Sequence, residues 1–547
     1  MGLARIDTEV GPECFAGARS WPPVGTRFAI LGFSHSLSLQ LTRLACGKLE
    51  RVLPARMREN GWSVARAAGQ LPLASSGCCA KLEAVRRWAT RIPQARETMF
   101  REIHTRGEWW LPSAPEVRIP GLLDFTTRDG AKLSLSGNLA PTGGHHIPDF
   151  ILGSTLDGDQ ITLCRCERIA SQELPFAGVS ASDYHASFVF AGIHFDRRDS
   201  LLLDAVHIHY THLNEWLHLV GFDFGHEEKY DFSINYKRPE GVTASVTQDL
   251  SVSIGFICSQ GGSLYAVHAE QDSYLSLRGP ASGYQYYEKY VELLQNLLCL
   301  ACSSPIYPCI IQLSPAASSN PDETRDHQAR LINLSYQIST APADIPDISF
   351  HHMLFTYDHL KGRFEEFIRN WITKYELLGP VFDLYFGSIN NPYSYTTHRF
   401  LNIVQGLESY HRRSFDSRAM PEKEFENRKQ LLAEAFPQYR KWLDWKLRFA
   451  NEPPLEQRLI ELGDKYKPSI VPMVGAYDKF FNRVATTRNY LTHFDEESRS
   501  KAATGGELRG MVQTLTLFLE TFLLTELGFK YDEVVQMQRN RRRLPYW

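Results

Sequence analysis

Ten cysteines in 547 residues are too few for the dense disulfide framework of a small secreted module. Pairs such as Cys78-Cys79 and Cys164-Arg165-Cys166 therefore read as reduced thiols of a cytoplasmic protein, the latter two as buried thiols. A signal peptide is missing as well, since Asp7, Glu9 and Glu13 occupy the region that would be basic. The most apolar stretch, Leu293 to Leu313, is cut by Gln295, Asn296, Ser303, Ser304, Pro305 and Pro308, so no membrane span is expected. Gly-rich phosphate loops of the Walker or dinucleotide type do not occur, which argues against nucleotide-driven chemistry. His207, His209, His212, His218 and His226 cluster, but without a Cys pair or a His-Glu-x-x-His spacing. Cys164 and Cys166 are too close together for a zinc knuckle. Neither a metal nor a cofactor is expected. No helix-turn-helix signature or basic recognition helix supports a DNA-binding regulator.

What is present is a globular composition, 43% hydrophobic, in a length suited to about two to four domains. Its charge is divided unevenly. Residues 1–98 carry 14 Lys and Arg against 7 Asp and Glu, leaving 45 basic and 55 acidic residues for the remainder. That acidic body must hold any polyanion through a local cluster rather than a general field. Arg539, Arg541, Arg542 and Arg543 form one candidate cluster for RNA, although such runs are commonly solvated tails. The first 98 residues also differ in kind, with twelve Arg against two Lys and four of the ten Cys. This break predicts either an upstream start ahead of a native beginning at Met99, or an accessory segment with helices near 37–53 and 80–88.

Two periodicities divide the rest. From about 105 to 345 the period is two: Leu133 and Leu135 alternate with Lys132, Ser134 and Ser136; Phe188 and Phe190 flank Val189; Leu250, Val252, Ile254 and Phe256 alternate with Ser251, Ser253 and Gly255. Asp129-Gly130, Asp157-Gly158 and Gly261-Gly262 are expected turns. One helix is expected over Tyr287 to Leu300. After about 350 the period becomes helical. Phe364, Phe367, Ile368, Trp371 and Tyr375 form a stripe ending at Gly379-Pro380; Phe400, Val404, Leu407 and His411 form another; Leu508 to Leu527 runs to Gly528. The expected fold class is α+β, an antiparallel β-rich domain over 99–345 followed by an all-α helical bundle over 350–547.

Within that bundle, Tyr477, Phe480, Phe481, Val484 and Leu491 mark one amphipathic helix whose polar end reads Arg488-Asn489-Tyr490-Leu491-Thr492-His493. Arg488 lies within about 20° of Tyr477 around the axis. Its guanidinium must therefore be paired, meet an interface or face a cleft. Asn489 and His493 stand four apart on an adjoining face. A permanent cation, an amide and an imidazole thus share one helix.

The arrangement of Arg, a polar residue and a later His resembles the motif of the HEPN ribonuclease superfamily. Further blocks resemble the ApeA family in the same order: Gly107-Glu108-Trp109-Trp110-Leu111-Pro112, Val117-Arg118-Ile119-Pro120-Gly121-Leu122-Leu123, Leu133 to Leu139, Leu213-Asn214-Glu215-Trp216-Leu217, and Arg399 to Arg412. The resemblance covers roughly residues 100 to 547.

It implies an ApeA-like, anti-phage abortive-infection effector with a sensor or regulatory N-terminal domain and a HEPN endoribonuclease domain, with Arg488, Asn489 and His493 as catalytic residues. RNA, whether tRNA or mRNA, would be the substrate, a homodimer or larger homo-oligomer the working form, and a phage product the trigger. Metal-free cleavage requires a base for the 2′-hydroxyl, an acid for the leaving 5′-oxygen and a cation for the developing charge. One helix supplies one imidazole, so a second subunit would complete the site. The alternative is a non-catalytic HEPN scaffold that binds RNA or a phage protein and signals by assembly. Apart from the resemblance, the plainer reading of the motif is that Arg488 and His493 merely cap and pair within the bundle.

Overall fold

The computed structural model describes residues 100–139, 148–174, 179–228, 231–263, 265–316, 331–391 and 393–542. The expectations for residues 1–98 and for Arg543 lie outside the described residues, as do the side chains of Arg541 and Arg542.

Six strands close on themselves: β1 (Ile103–Trp110), β2 (Ile119–Thr126), β3 (Gly130–Leu135), β4 (Phe150–Thr155), β5 (Gln160–Leu174) and β6 (Val179–Ala191). They pair in the order β6-β3-β2-β1-β4-β5, and β5 returns to β6, giving a closed antiparallel barrel. The period of two explains its filling. Trp109, Leu123, Leu133, Ile151, Leu163 and Val189 point inward and are buried. Glycine lets the strands approach Trp109. A Cβ on Gly153 would lie 2.2 Å from the Trp109 ring, and one on Gly107 2.4 Å from the Ser154 carbonyl oxygen.

An open sheet continues from the barrel. It comprises β7 (Leu203–Tyr210), then, after helix α1 (Leu213–Leu217) and a separate hairpin of β8 (Phe222–Glu228) and β9 (Asp231–Tyr236), strands β10 (Thr243–Ser245), β11 (Ser251–Ser263) and β12 (Ala266–Ser282). After helix α2 (Tyr284–Cys302) come β13 (Pro308–Pro315) and β14 (Ile332–Tyr336). The order β10-β11-β12-β7-β13-β14 joins the barrel through β14 on β6. Helix α2 lies against this sheet: Tyr210 Oη donates to the Val291 carbonyl at 2.7 Å and Tyr287 Oη to the Leu203 carbonyl at 3.2 Å.

The remainder is helical: α3 (Tyr357–Leu360), α4 (Phe364–Thr373), α5 (Tyr375–Ile389), α6 (Thr396–Ser414), α7 (Glu422–Ala435), α8 (Arg440–Leu447), α9 (Leu455–Lys465), α10 (Lys467–Val474), α11 (Tyr477–His493), α12 (Glu496–Arg499), α13 (Gly505–Leu527) and α14 (Tyr531–Arg542). Helix α13 is central, burying Leu515, Phe518, Leu519, Phe522, Leu523 and Leu524. The Phe522 ring stacks on Tyr410 of α6 at 4.7 Å. Gly528, at φ +114°, ends α13 as expected, because glycine, without a Cβ, adopts the left-handed cap at little cost. Trp371 of α4 donates to the Leu293 carbonyl of α2 at 2.7 Å, and one continuous apolar core runs from the open sheet into the helices.

The architecture is α+β, with a β-rich N-terminal part and a helical C-terminal part. Two local expectations change. Gly261-Gly262 is not a turn but lies within β11, which runs on to Ser263 in register with β12. Gly379-Pro380 does not end a helix; the break falls earlier, at Lys374, and Pro380 lies inside α5. Lacking an N–H, Pro380 deprives the Glu376 carbonyl of its helical donor near the start of α5, and the helix continues past it. Among the described residues no helix is long and apolar enough to cross a membrane.

Candidate functional site at the C-terminal end of helix α11

Phe481 and Val484 of α11 are buried, and Tyr477, Phe480 and Leu491 pack against the same core, so the apolar stripe holds the helix in the bundle. Helix α9 runs antiparallel beside it. Asn482 Nδ2 donates to Glu456 Oε1 at 3.0 Å, and further along Tyr477 Oη donates to Asp464. On the other side, Thr487 Oγ1 accepts the Ala503 N–H at 2.9 Å, tying α11 to the start of α13. His493 is the last helical residue, followed by Phe494 in a left-handed cap.

Arg488, half-buried, is paired, the first of the three outcomes its place on the stripe allows. Its Nη1 donates to Asn489 Oδ1 at 3.2 Å, and its Nη2 lies 3.6 Å from Glu408 Oε2 of α6. Glu408 is shared, because Arg412 Nη2 donates to its other oxygen at 3.2 Å. His493 and Asn489 are exposed. Five residues apart, Arg488 and His493 are separated by about 7.5 Å along the axis and about 140° around it. They therefore face different directions from one helix end.

The ion pair opens a chain of polar contacts invisible in the linear motif. Arg412 Nη1 reaches Glu452 Oε2 at 2.7 Å, and Arg458 Nη2 donates to the same oxygen at 2.8 Å. Arg458 is 3% exposed and donates from Nε to the Pro453 carbonyl at 2.9 Å. Its Nη1 lies 3.2 Å from Nδ1 of the fully buried His411, whose Nε2 lies 2.8 Å from Glu461 Oε2. Because a guanidinium only donates, His411 Nδ1 is the acceptor and its Nε2–H points at Glu461. Burial holds His411 below the usual imidazole range, against the pull of Glu461 and with help from Arg458 and Arg412. Glu408, Arg412, Glu452 and Arg458 were not singled out from sequence as site residues. The i, i+4 spacing of Glu408 and Arg412 was the available signal.

The other candidates are dispersed. Arg539 is exposed on α14, which docks on α10 and α13 through Gln538: Nε2 donates to the Leu517 carbonyl at 2.7 Å and Ser469 Oγ to Oε1 at 3.1 Å. Cys164 and Cys166 are buried thiols outside any disulfide. The histidines have separate partners: His207 meets Ser314 at 3.1 Å, His209 meets Asp272 at 2.6 Å, and the His218 ring lies 4.0 Å from that of Phe350. Among the described residues no three His, Cys, Asp or Glu side chains group as a metal site.

Residues 104–371 match the ApeA N-terminal domain 1 family and residues 401–533 the Apea-like HEPN family. The chain belongs to the ApeA-like HEPN proteins. At the level of the family these are anti-phage HEPN effectors, and HEPN domains are in general ribonucleases that commonly bind RNA and oligomerise. The HEPN match contains the whole of α11 and every member of the polar chain from Glu408 to Asn489. No curated protein and no solved structure matches the chain.

Proposed function

We propose that this ApeA-like HEPN protein is an endoribonuclease of anti-phage defence, acting in the cytoplasm on host or phage RNA and causing abortive infection. Arg488, Asn489 and His493 do the chemistry. His493, exposed at the helix end, moves the proton of the 2′-hydroxyl or of the leaving 5′-oxygen. Arg488 neutralises the charge that grows on the phosphorane, and Asn489 orients the guanidinium through its amide oxygen. Cleavage by 2′-hydroxyl attack leaves a 2′,3′-cyclic phosphate and a 5′-hydroxyl, with side chains supplying base, acid and cation.

The observation that carries this reading is the state of Arg488. It is half-buried and held, yet its Glu408 contact, at 3.6 Å, is longer than a hydrogen bond, and Glu408 has a nearer cation in Arg412. The Arg488 guanidinium can therefore turn to a phosphate without stranding the carboxylate.

The divergence of Arg488 and His493 around the helix favours a site completed by a second copy. Mixing Arg488→Ala chains with His493→Ala chains tests this. A composite site restores partial cleavage in the mixture while each variant alone is inactive. No restoration in a mixture shown to contain heterodimers would leave the site within one chain.

A further inference from the structure

Helices α7 and α8, joined by a 3-10 turn over Pro437–Tyr439, leave the bundle as an arm whose large side chains face solvent. Trp442 is 57% exposed and Trp445 63%, and Phe436, Tyr439 and Phe449 are exposed to a similar degree. Trp442 and Trp445 stand three apart on α8, and Tyr439 and Phe449 flank its two ends at spacings of three and four, which at helical pitch fall within about a third of a turn. A stripe of this kind ordinarily builds a core. Here, among the described residues of the arm, only Phe425 near its base is buried.

Cations are interleaved with the aromatics. Between residues 437 and 449 stand Arg440, Lys441, Lys446 and Arg448 against the single acid Asp444, on a chain that is otherwise acidic. Lys446 Nζ lies 4.6 Å from the Trp445 ring centroid, and the Arg448 guanidinium 6.0 Å from that of Phe449. Aromatic residues and Arg are enriched at protein–protein contacts as well, but lysine is depleted at their centre, so Lys441 and Lys446 are what turn the balance. Flat rings spaced along a basic strip are instead what single-stranded nucleic acid requires, stacking for the bases and positive charge for the backbone.

The arm is also wired to the candidate site. Met420 N–H donates to Asn451 Oδ1 at 3.0 Å and Asn451 Nδ2 to Glu422 at 3.0 Å, closing its base. The next residue, Glu452, holds both Arg412 and Arg458, and Arg412 holds Glu408 beside Arg488. Arm and motif thus emerge at the same end of the bundle.

We infer that the α7–α8 arm is a platform for single-stranded RNA, stacking unpaired bases on Trp442 and Trp445 and steering the strand toward the end of α11. This deepens the ribonuclease reading and rests on it for the nature of the ligand. Exposed stacking residues of this kind contribute enough that removing two should weaken RNA binding about 30-fold or more.

The test uses the full chain carrying His493→Ala, so that bound RNA survives, and a fluorescein-labelled oligouridylate of about 16 nucleotides, the upper end of the site sizes such platforms cover. Anisotropy titrations compare this chain with one also carrying Trp442→Ala and Trp445→Ala, and sedimentation velocity is run on both. We expect the affinity to fall about 30-fold with the sedimentation coefficient unchanged, and Trp442→Phe with Trp445→Phe to recover most of the loss. Unchanged affinity, or no RNA binding with the arm intact, would overturn the proposal. A drop to a smaller species would instead identify the arm as a contact between copies of this chain. Cleavage by the His493→Ala parent would remove the catalytic assignment, and the same titrations with a 2′-O-methyl oligouridylate, which lacks the attacking hydroxyl, would then decide the arm.

Discussion

The Arg488 guanidinium lies 3.6 Å from the Glu408 carboxylate, joining the last turns of α11 to α6. This contact balances the cation on the apolar stripe, and it places an anion where a phosphate would compete.

Replacing Glu408 by Gln should therefore release Arg488 from its carboxylate partner, while Arg412 stays paired with Glu452. A partly exposed pair of this kind contributes less than about 1 kcal/mol, so the fold should persist. In the His493→Ala chain we expect about two- to fivefold tighter oligouridylate binding at low salt, fading as salt rises. Anisotropy at two ionic strengths measures this. Weaker binding would mean that Glu408 positions Arg488 rather than opposing the phosphate.

The pH response follows from His411. Its Nδ1 accepts from Arg458 only while the imidazole is neutral, and burial holds its pKa below the usual range. As pH falls through about 6.5 the unfolded chain takes up a proton that the folded chain resists, so stability drops below that pH and is unaffected above it. For Glu461, burial pushes its pKa up, but bonds from Ser417, His411 and Gln457 outweigh it and leave the carboxyl lowered, adding a further loss at more acidic pH. Thermal melts at pH 7.5 and pH 5.5 should show a fall in midpoint, and His411→Gln should flatten it. An equal fall in that variant would assign the response to other groups.

In the barrel, Gly153→Ala should be costly. The added Cβ would sit 2.2 Å from the ring of Trp109, which is fully buried and has no room to retreat. We expect a loss of roughly 3 kcal/mol, at the upper end for overpacking, read by urea denaturation. A loss below about 1 kcal/mol would mean that the barrel repacks around Trp109.

Much of this was legible along the chain. The period of two at Leu133, Leu135, Phe188 and Phe190 and the helical stripes of Phe400 and Phe481 carry local geometry directly, and Gly528 announces its own helix end. The motif was legible too, because Arg488 interrupts an apolar stripe. Closure of the barrel was not, since β5 meeting both β4 and β6 is a pairing between segments that no local period encodes. Pro380 misled because a proline near a helix start removes one bond without stopping the helix. The arm was hidden for a different reason. The spacing of Trp442 and Trp445 is the same whether the stripe is buried or bare, and only the fold shows it facing water. Likewise, Glu452 and Arg458 stand far from Arg488 in sequence and reach it only through Arg412 and Glu408.

The central claim is that His493 moves a proton during RNA cleavage, and the ends left on the RNA test it most directly. RNA incubated with the wild-type chain should carry 2′,3′-cyclic phosphate and 5′-hydroxyl ends. A His493→Ala chain with an unchanged melting curve should produce them about a thousandfold more slowly, as loss of a general acid or base requires. Undiminished cleavage with the same ends by the folded variant would contradict the account.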